Sequence, residues 1–173
     1  MKNDKLKILV IRFSSIGDIV LTSPVVRCLK TQIEGIELHY LTKKAFEPVL
    51  AANPYIDKLH IFDKSLSDCI NELKPENFDY VIDLHHNLRT LVIKTKLGIR
   101  SSSFDKLNWQ KWLLVNLKKN VLPPVHIVDR YLKTVEFLGV KNDNQGLDYF
   151  LQKEYELKDM LPASHQRYIA MVI

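Results

Sequence analysis

The 173-residue sequence predicts an α/β fold: a Rossmann-like parallel sheet with helices on both faces, doubly wound. Three observations predict it. Short apolar, β-branched runs alternate with segments of helical periodicity. The apolar runs are nearly continuous rather than alternating, as strands covered on both faces are. Capping residues, glycines and prolines punctuate the helical segments at their ends.

The elements follow in order. Lys7–Phe13 is an apolar run that reads as a buried strand. From Gly17 a helical pattern runs through Ile19, Val20, Val25, Val26, Leu29 and Ile33, with Pro24 inside it. Proline is costly in a helix interior, so a short first turn is expected, then a restart with Ser23 as N-cap and Pro24 as first helical residue. Ile36–Leu41 reads as the second strand and Ala45–Ala52 as a short helix stopped at Asn53-Pro54. Lys58–Phe62 is the third strand. Asp63 or Ser65 caps a helix through Leu73, ended by Pro75. Phe78–Leu84 is the fourth strand, and Leu88–Leu97 a helix closed by Gly98. Ser101–Phe104 reads as a short fifth strand, Leu107–Leu117 and Ile127–Leu138 as helices, the second capped by Gly139, and Leu147–Leu151 as a last strand.

The C-terminal end differs. Glu154–Arg167 holds Pro162, Ser164 and charged residues, like a linker, and Tyr168–Ile173 is again apolar and β-branched. The expectation is one domain over residues 1–162, with 163–173 forming a linker and the first strand of a second domain.

Composition bounds the function. Hydrophobic residues make up 46% and charged residues 26%, as in ordinary soluble domains, and the net charge of +5 is mild. Lys43-Lys44 and Lys118-Lys119 are pairs, not tails. This balance fits an anionic ligand, a membrane surface or a merely solvated face. Cys28 and Cys69 have no partner at metal-ligand spacing and read as reduced thiols. The N-terminal apolar run lacks a cleavage site and passes straight into a motif, and no run reaches the roughly 18–20 residues that span a bilayer. A cytoplasmic protein is expected, with surface contact to a membrane left open.

In such sheets, ligands bind beyond the carboxyl ends of the strands. That rim collects Ser14–Asp18, Thr42–Lys44 and His85–Arg89. In Ser14-Ser15-Ile16-Gly17-Asp18 the helix N-terminus offers free N–H groups, and Asp18 either complements the dipole or does chemistry. Only one glycine occurs there, so neither the dinucleotide fingerprint nor a Walker loop is present. In the second segment Asp83, His85 and Asn87 alternate, with Asn87 a natural N-cap. Arg89 in a first helical turn opposes the dipole, which suits an anionic ligand. His85-His86 lacks a third ligand at metal spacing, so no metal is expected. The third segment, His126–Tyr131, puts Arg130 near a helix start. A DxD clamp, a GxSxG elbow and an aromatic–basic ladder for nucleic acid are all absent.

Together, I-R-F-S-S-I-G-D-I-V-L-T-S-P-V-V-R (Ile11–Arg27), D-L-H-H-N-L-R (Asp83–Arg89) and H-I-V-D-R-Y (His126–Tyr131) resemble the heptosyltransferase-type glycosyltransferases, glycosyltransferase family 9. The resemblance runs roughly from Lys5 to Gly139, and His85 stands where the family often has glutamine. It implies the N-terminal half of a GT-B enzyme, two Rossmann-like domains facing across a cleft. The implied reaction is inverting transfer of a sugar, heptose from ADP-heptose, to a lipopolysaccharide core or related surface glycan, without metal or cofactor. Asp18 is then the catalytic base, and Ser14, Ser15 and Gly17 shape its loop. His85, Asn87, Arg89 and Arg130 face an anionic glycolipid or glycan acceptor. The donor nucleotide-sugar would sit on the missing domain, so this chain alone is expected to be inactive. Nucleic acid is no partner, and contact with the cytoplasmic face of the inner membrane is in keeping with the acceptor. Two rivals remain: a stand-alone Rossmann-like phosphate- or nucleotide-binding domain, and a non-catalytic scaffold.

Overall fold

The structure is a computed structural model that describes residues 5–63 and 65–153. The expected linker, the Tyr168–Ile173 strand and the 162/163 boundary lie outside the described residues. Five parallel strands form one sheet in the order β3-β2-β1-β4-β5. They are β1 (Lys7–Ile11), β2 (Glu37–Lys43), β3 (Lys58–Phe62), β4 (Tyr80–Asp83) and β5 (Arg100–Ser103). The helices are α1 (Ile16–Val20), α2 (Ser23–Gln32), α3 (Glu47–Leu50), α4 (Leu66–Leu73), α5 (Leu88–Leu97), α6 (Asn108–Leu117) and α7 (Ile127–Leu132). The expected fold class is the observed one.

Strand periodicity builds two cores. Ile8 and Val10 of β1 point to one face, where α2 supplies Val25, Val26 and Leu29 and α7 supplies Tyr131 and Leu132. Leu9 and Ile11 point to the other, against Cys69, Ile70 and Leu73 of α4 and Ile93 of α5. Burying each such aliphatic side chain contributes about 1.5–3 kcal/mol. Both cysteines are buried and unpaired, and burial raises the pKa of each thiol.

Several bounds shift. Arg12 and Phe13 stay buried but leave the ladder, so β1 stops at Ile11. The restart after α1 comes one residue early: Thr22 is the N-cap of α2, and Ser23 and Pro24 open the helix. Ser65, not Asp63, caps α4, its side chain accepting from the Asp68 N–H. The helix expected over Ile127–Leu138 tightens after Leu132, where Thr134 N–H reaches back only to Tyr131 O at 3.0 Å, and ends in a 3₁₀ turn over Glu136–Leu138.

The expected strand Leu147–Leu151 does not form. Buried Arg27 on α2 holds this stretch instead. Its Nε and NH2 donate to the Asp143 carboxylate at 2.7 and 2.8 Å, NH2 also to Gly146 O, and NH1 to Asp148. Ser23 Oγ accepts from the Asp148 N–H at 2.8 Å. Arg27 in turn holds the Asp143 carboxyl at about 2. The segment is latched to α2 and does not join the sheet. No described helix is long and apolar enough to cross a membrane.

Candidate functional site

The strand order reverses between β1 and β4, whose carboxyl ends lie side by side. That is the topological switch point, where open parallel sheets leave a crevice. The β1–α1 loop and the β4–α5 loop both open there.

Arg12 builds the floor. It is 7% exposed, and its guanidinium ties together parts of the chain far apart in sequence. Nε donates to Ser14 O at 2.6 Å, and NH1 to Leu84 O at 2.5 Å and to the Tyr131 hydroxyl at 3.0 Å. NH2 pairs with Asp18 Oδ2 at 2.6 Å. A buried arginine is tolerated only when its donors are met, and here the loop, the β4 exit, α7 and Asp18 meet them.

Asp18 lies in the single turn of α1. Oδ2 also accepts from the Ser15 N–H at 3.3 Å and the Ser15 hydroxyl at 3.0 Å, so the carboxylate closes back on the residue before the helix. Partial burial raises its pKa, but the Ser15 N–H and the Arg12 charge outweigh this, and the net shift is downward. All of its hydrogen bonds among the described residues fall on Oδ2. The side chain is 39% exposed, and Oδ1 accepts no hydrogen bond from a described residue. Capping and chemistry are therefore not exclusive: one oxygen serves the helix and the other is free. Gly17, beside it, is exposed, and an added Cβ would meet nothing within 4 Å. The fold does not require glycine at this position.

Asp83 ends β4 fully buried. Oδ1 accepts from the His85 and His86 N–H groups at 3.1 and 2.7 Å, and Oδ2 pairs with Lys94 at 2.7 Å. It shapes the loop and does not face a ligand. His85 is half-buried, its ring 5.1 Å from that of Phe13. Burial, helped by the Arg12, Lys106 and Lys43 charges, lowers its pKa to about 4, so it is neutral at pH 7. Asn87 is the N-cap of α5, with Oδ1 accepting from the Thr90 N–H at 2.9 Å and the Thr90 hydroxyl accepting from the Asn87 N–H in return. Arg89 is exposed on the first turn of that helix. Arg130 donates to Asp105 O and lies over the Phe104 ring at 5.6 Å. It also lines a groove of about 280 Å³ with Phe104, Leu107, Val125 and Thr134. Ser14 and Ser15 form the loop itself, through a cis peptide.

The structure thus brings Asp18, Ser14, Ser15, Gly17 and His85 to one opening, with Arg130 on its flank. Asn87 turns to capping. Sequence reasoning missed Arg12, and it missed Lys106, whose pKa is lowered by burial and then by the Arg12 charge. The one local signal was an arginine inside an apolar run. A further mark singles out this rim: Thr42 Oγ1, His85 Nδ1 and Arg130 Nε are buried without a hydrogen-bond partner. Buried polar atoms are seldom left unpaired, so three of them at one rim set it apart. The cations at this rim can hold an anionic polar molecule, and the fixed Asp18 carboxylate can accept a proton from it.

No family model matches the chain. Over 163 residues it is 28% identical to lipopolysaccharide heptosyltransferase 1 of Campylobacter coli, a match covering 89% of this chain and 46% of that protein. A solved glycosyl transferase family 9 structure from Veillonella parvula superposes with a TM-score of 0.68 at 24% identity, covering 88% of this chain and 47% of that one. The E. coli heptosyltransferase WaaC with ADP-2-deoxy-2-fluoro heptose gives a TM-score of 0.63 at 18% identity, over 82% and 51%. The chain is thus similar to heptosyltransferase-type glycosyltransferases, shares the fold of part of them, and spans about half their length.

Proposed function

We propose that this chain is the acceptor-binding half of an inverting heptosyltransferase-like glycosyltransferase, with Asp18 as the base. The observation that carries the reading is the Asp18 carboxylate. One oxygen is anchored by Arg12 and Ser15, the other has no partner among the described residues, and the side chain is 39% exposed.

The acceptor hydroxyl would donate to Oδ1. As the hydroxyl oxygen bonds the anomeric carbon, its proton becomes acidic and passes to Asp18, while the nucleoside diphosphate leaves from the opposite face of the sugar. A carboxylate with a lowered pKa is a weak base for a free alcohol. It suffices only late in bond formation, so positioning and the exclusion of water supply much of the rate. Arg12 works as the positioning residue. It fixes the carboxylate and keeps it ionised. Lys106, Lys43 and Arg130 would face the anionic part of a glycolipid acceptor, and the slot left at Gly17 would admit the sugar beside Asp18. The donor, for which ADP-heptose is the reading, belongs to the other half, and the 173-residue chain alone transfers no sugar. Inner-membrane contact would follow from the lipid-borne acceptor.

The test is Asp18→Asn in a protein that pairs this chain with its donor-binding half. Transfer should fall by about 10²–10⁴-fold in kcat, with the acceptor KM little changed. Retained activity sinks the assignment. Tight binding of ADP by this chain alone would favour a stand-alone nucleotide-binding domain instead.

A further inference from the structure

At the opposite end of the sheet, His39 of β2 and His60 of β3 face each other, both 1% exposed. His39 Nδ1 lies 2.9 Å from His60 Nε2. The outer nitrogens meet carboxylates: His39 Nε2 is 2.8 Å from Glu37 Oε1, and His60 Nδ1 is 2.8 Å from Glu72 Oε1. Glu76, just after α4, brings Oε2 to 4.0 Å from His39 Nδ1. The inner donor atoms of His39, His60 and Glu76 lie within 4.8 Å of one another, the one such cluster found among the described residues.

Counting hydrogens exposes a deficit. The Glu37–His39, His39–His60 and His60–Glu72 contacts each need a hydrogen between the paired atoms. Two neutral imidazoles carry one N–H each and cannot satisfy all three. If both outer carboxylates accept N–H, two bare lone pairs confront each other at 2.9 Å inside the protein. The cluster is complete only with one hydrogen more than two neutral imidazoles carry, or with a metal ion in the place of the inner one.

We propose that this cluster is a binding site for a divalent metal of the zinc type, held by His39 Nδ1, His60 Nε2 and the Glu76 carboxylate. Two imidazoles and a carboxylate are a common zinc set. The outer carboxylates supply what metal-bound histidines almost always have, an acceptor on the second nitrogen that fixes the tautomer. Glu76 is already paired, to Lys7 at 3.5 Å through Oε2 and to Lys58 through Oε1. A metal would therefore take Oε2 from Lys7 and leave Lys58 in place. Lying at the amino edge of the strands, the ion would fasten β2 and β3 to the α4–β4 connection. Its role is structural, independent of the proposed transfer.

The experiment titrates the chelator-treated 173-residue chain with Zn²⁺ by calorimetry, and with Co²⁺ by visible absorption. One ion per chain, a Tm that climbs with zinc concentration, and a cobalt spectrum of a low-coordinate nitrogen–oxygen site are expected. Glu76→Gln, at a partly exposed position, and His60→Gln should each weaken binding at least tenfold, and the exposed His86→Gln should not. Absence of binding overturns the proposal, as does binding that both cluster variants leave intact. A chelator-resistant imidazole proton shared by the two rings, seen by NMR in a chain that takes up no zinc, overturns it in favour of the proton.

Discussion

The two ends of the sheet carry similar side chains in opposite states. Each has histidines, carboxylates and cations. At the amino edge, His39, His60, Glu37, Glu72 and Glu76 face one another, and nearly every polar atom has a protein partner. At the carboxyl edge, Thr42 Oγ1, His85 Nδ1 and Arg130 Nε have none, and Asp18 is satisfied on one side only. Polar content alone therefore does not say what a site holds. The gap left by its pairing does: at the amino edge one small cation between the inner nitrogens of His39 and His60, at the carboxyl edge a larger polar ligand beside Asp18.

The largest expected effect is at Asp18. Asp18→Asn should cost transfer about 10²–10⁴-fold with little loss of stability, and equal losses of both would erase the contrast between the ends. Next comes Arg12→Met. It orphans Leu84 O and frees Asp18, and should destabilise the fold by about 1–3 kcal/mol in urea titrations as well as abolish transfer. A stable Arg12→Met protein would mean that the clamp is not what orders the rim. At the other end, His60→Gln should lower stability by a similar about 1–3 kcal/mol and leave kcat alone, measured on the two-half enzyme.

Smaller effects sharpen the difference. Gly17→Ala should stabilise α1 by about 0.5–1 kcal/mol, since the new methyl meets no atom, while raising the acceptor KM. Smaller still is the pH response. His85 has its pKa lowered from 6.5 to about 4, so between those values the unfolded chain binds more protons and stability falls as the solution is acidified. His85→Gln should flatten the stability–pH curve in that window. Asp18 works in the same direction at lower pH, because its pKa is lowered as well: its contribution is present above its ordinary 3.8 and is lost as pH falls through the lowered value. The rate should thus show no acid limb from Asp18 above about pH 5, and an inflection near neutrality would point to another base.

The sheet was legible because its signals are local. Lys58–Phe62 and Leu88–Leu97 have their expected bounds, fixed by apolar runs, the Asn87 cap and Gly98 in a left-handed conformation with φ of 67°. The misses have distant causes. Leu147–Leu151 has strand composition, but Arg27, more than a hundred residues earlier, holds its start. Asp18 and its loop were readable as one short motif. Arg12 was not, since its partners at Leu84 and Tyr131 lie 72 and 119 residues away. His39 and His60 sit in ordinary strands, and nothing local announces that their registers bring the rings together.

The Arg12 clamp also has a consequence for synthesis. A ribosome delivers the chain from its amino end at about 5–20 residues per second. β1 and the Asp18 turn emerge first, yet the guanidinium beneath them stays incompletely paired until Tyr131 arrives. Until then a nascent chain has the sheet's centre without a settled rim. The pocket is therefore among the last parts to mature, although its motif is among the first to be translated.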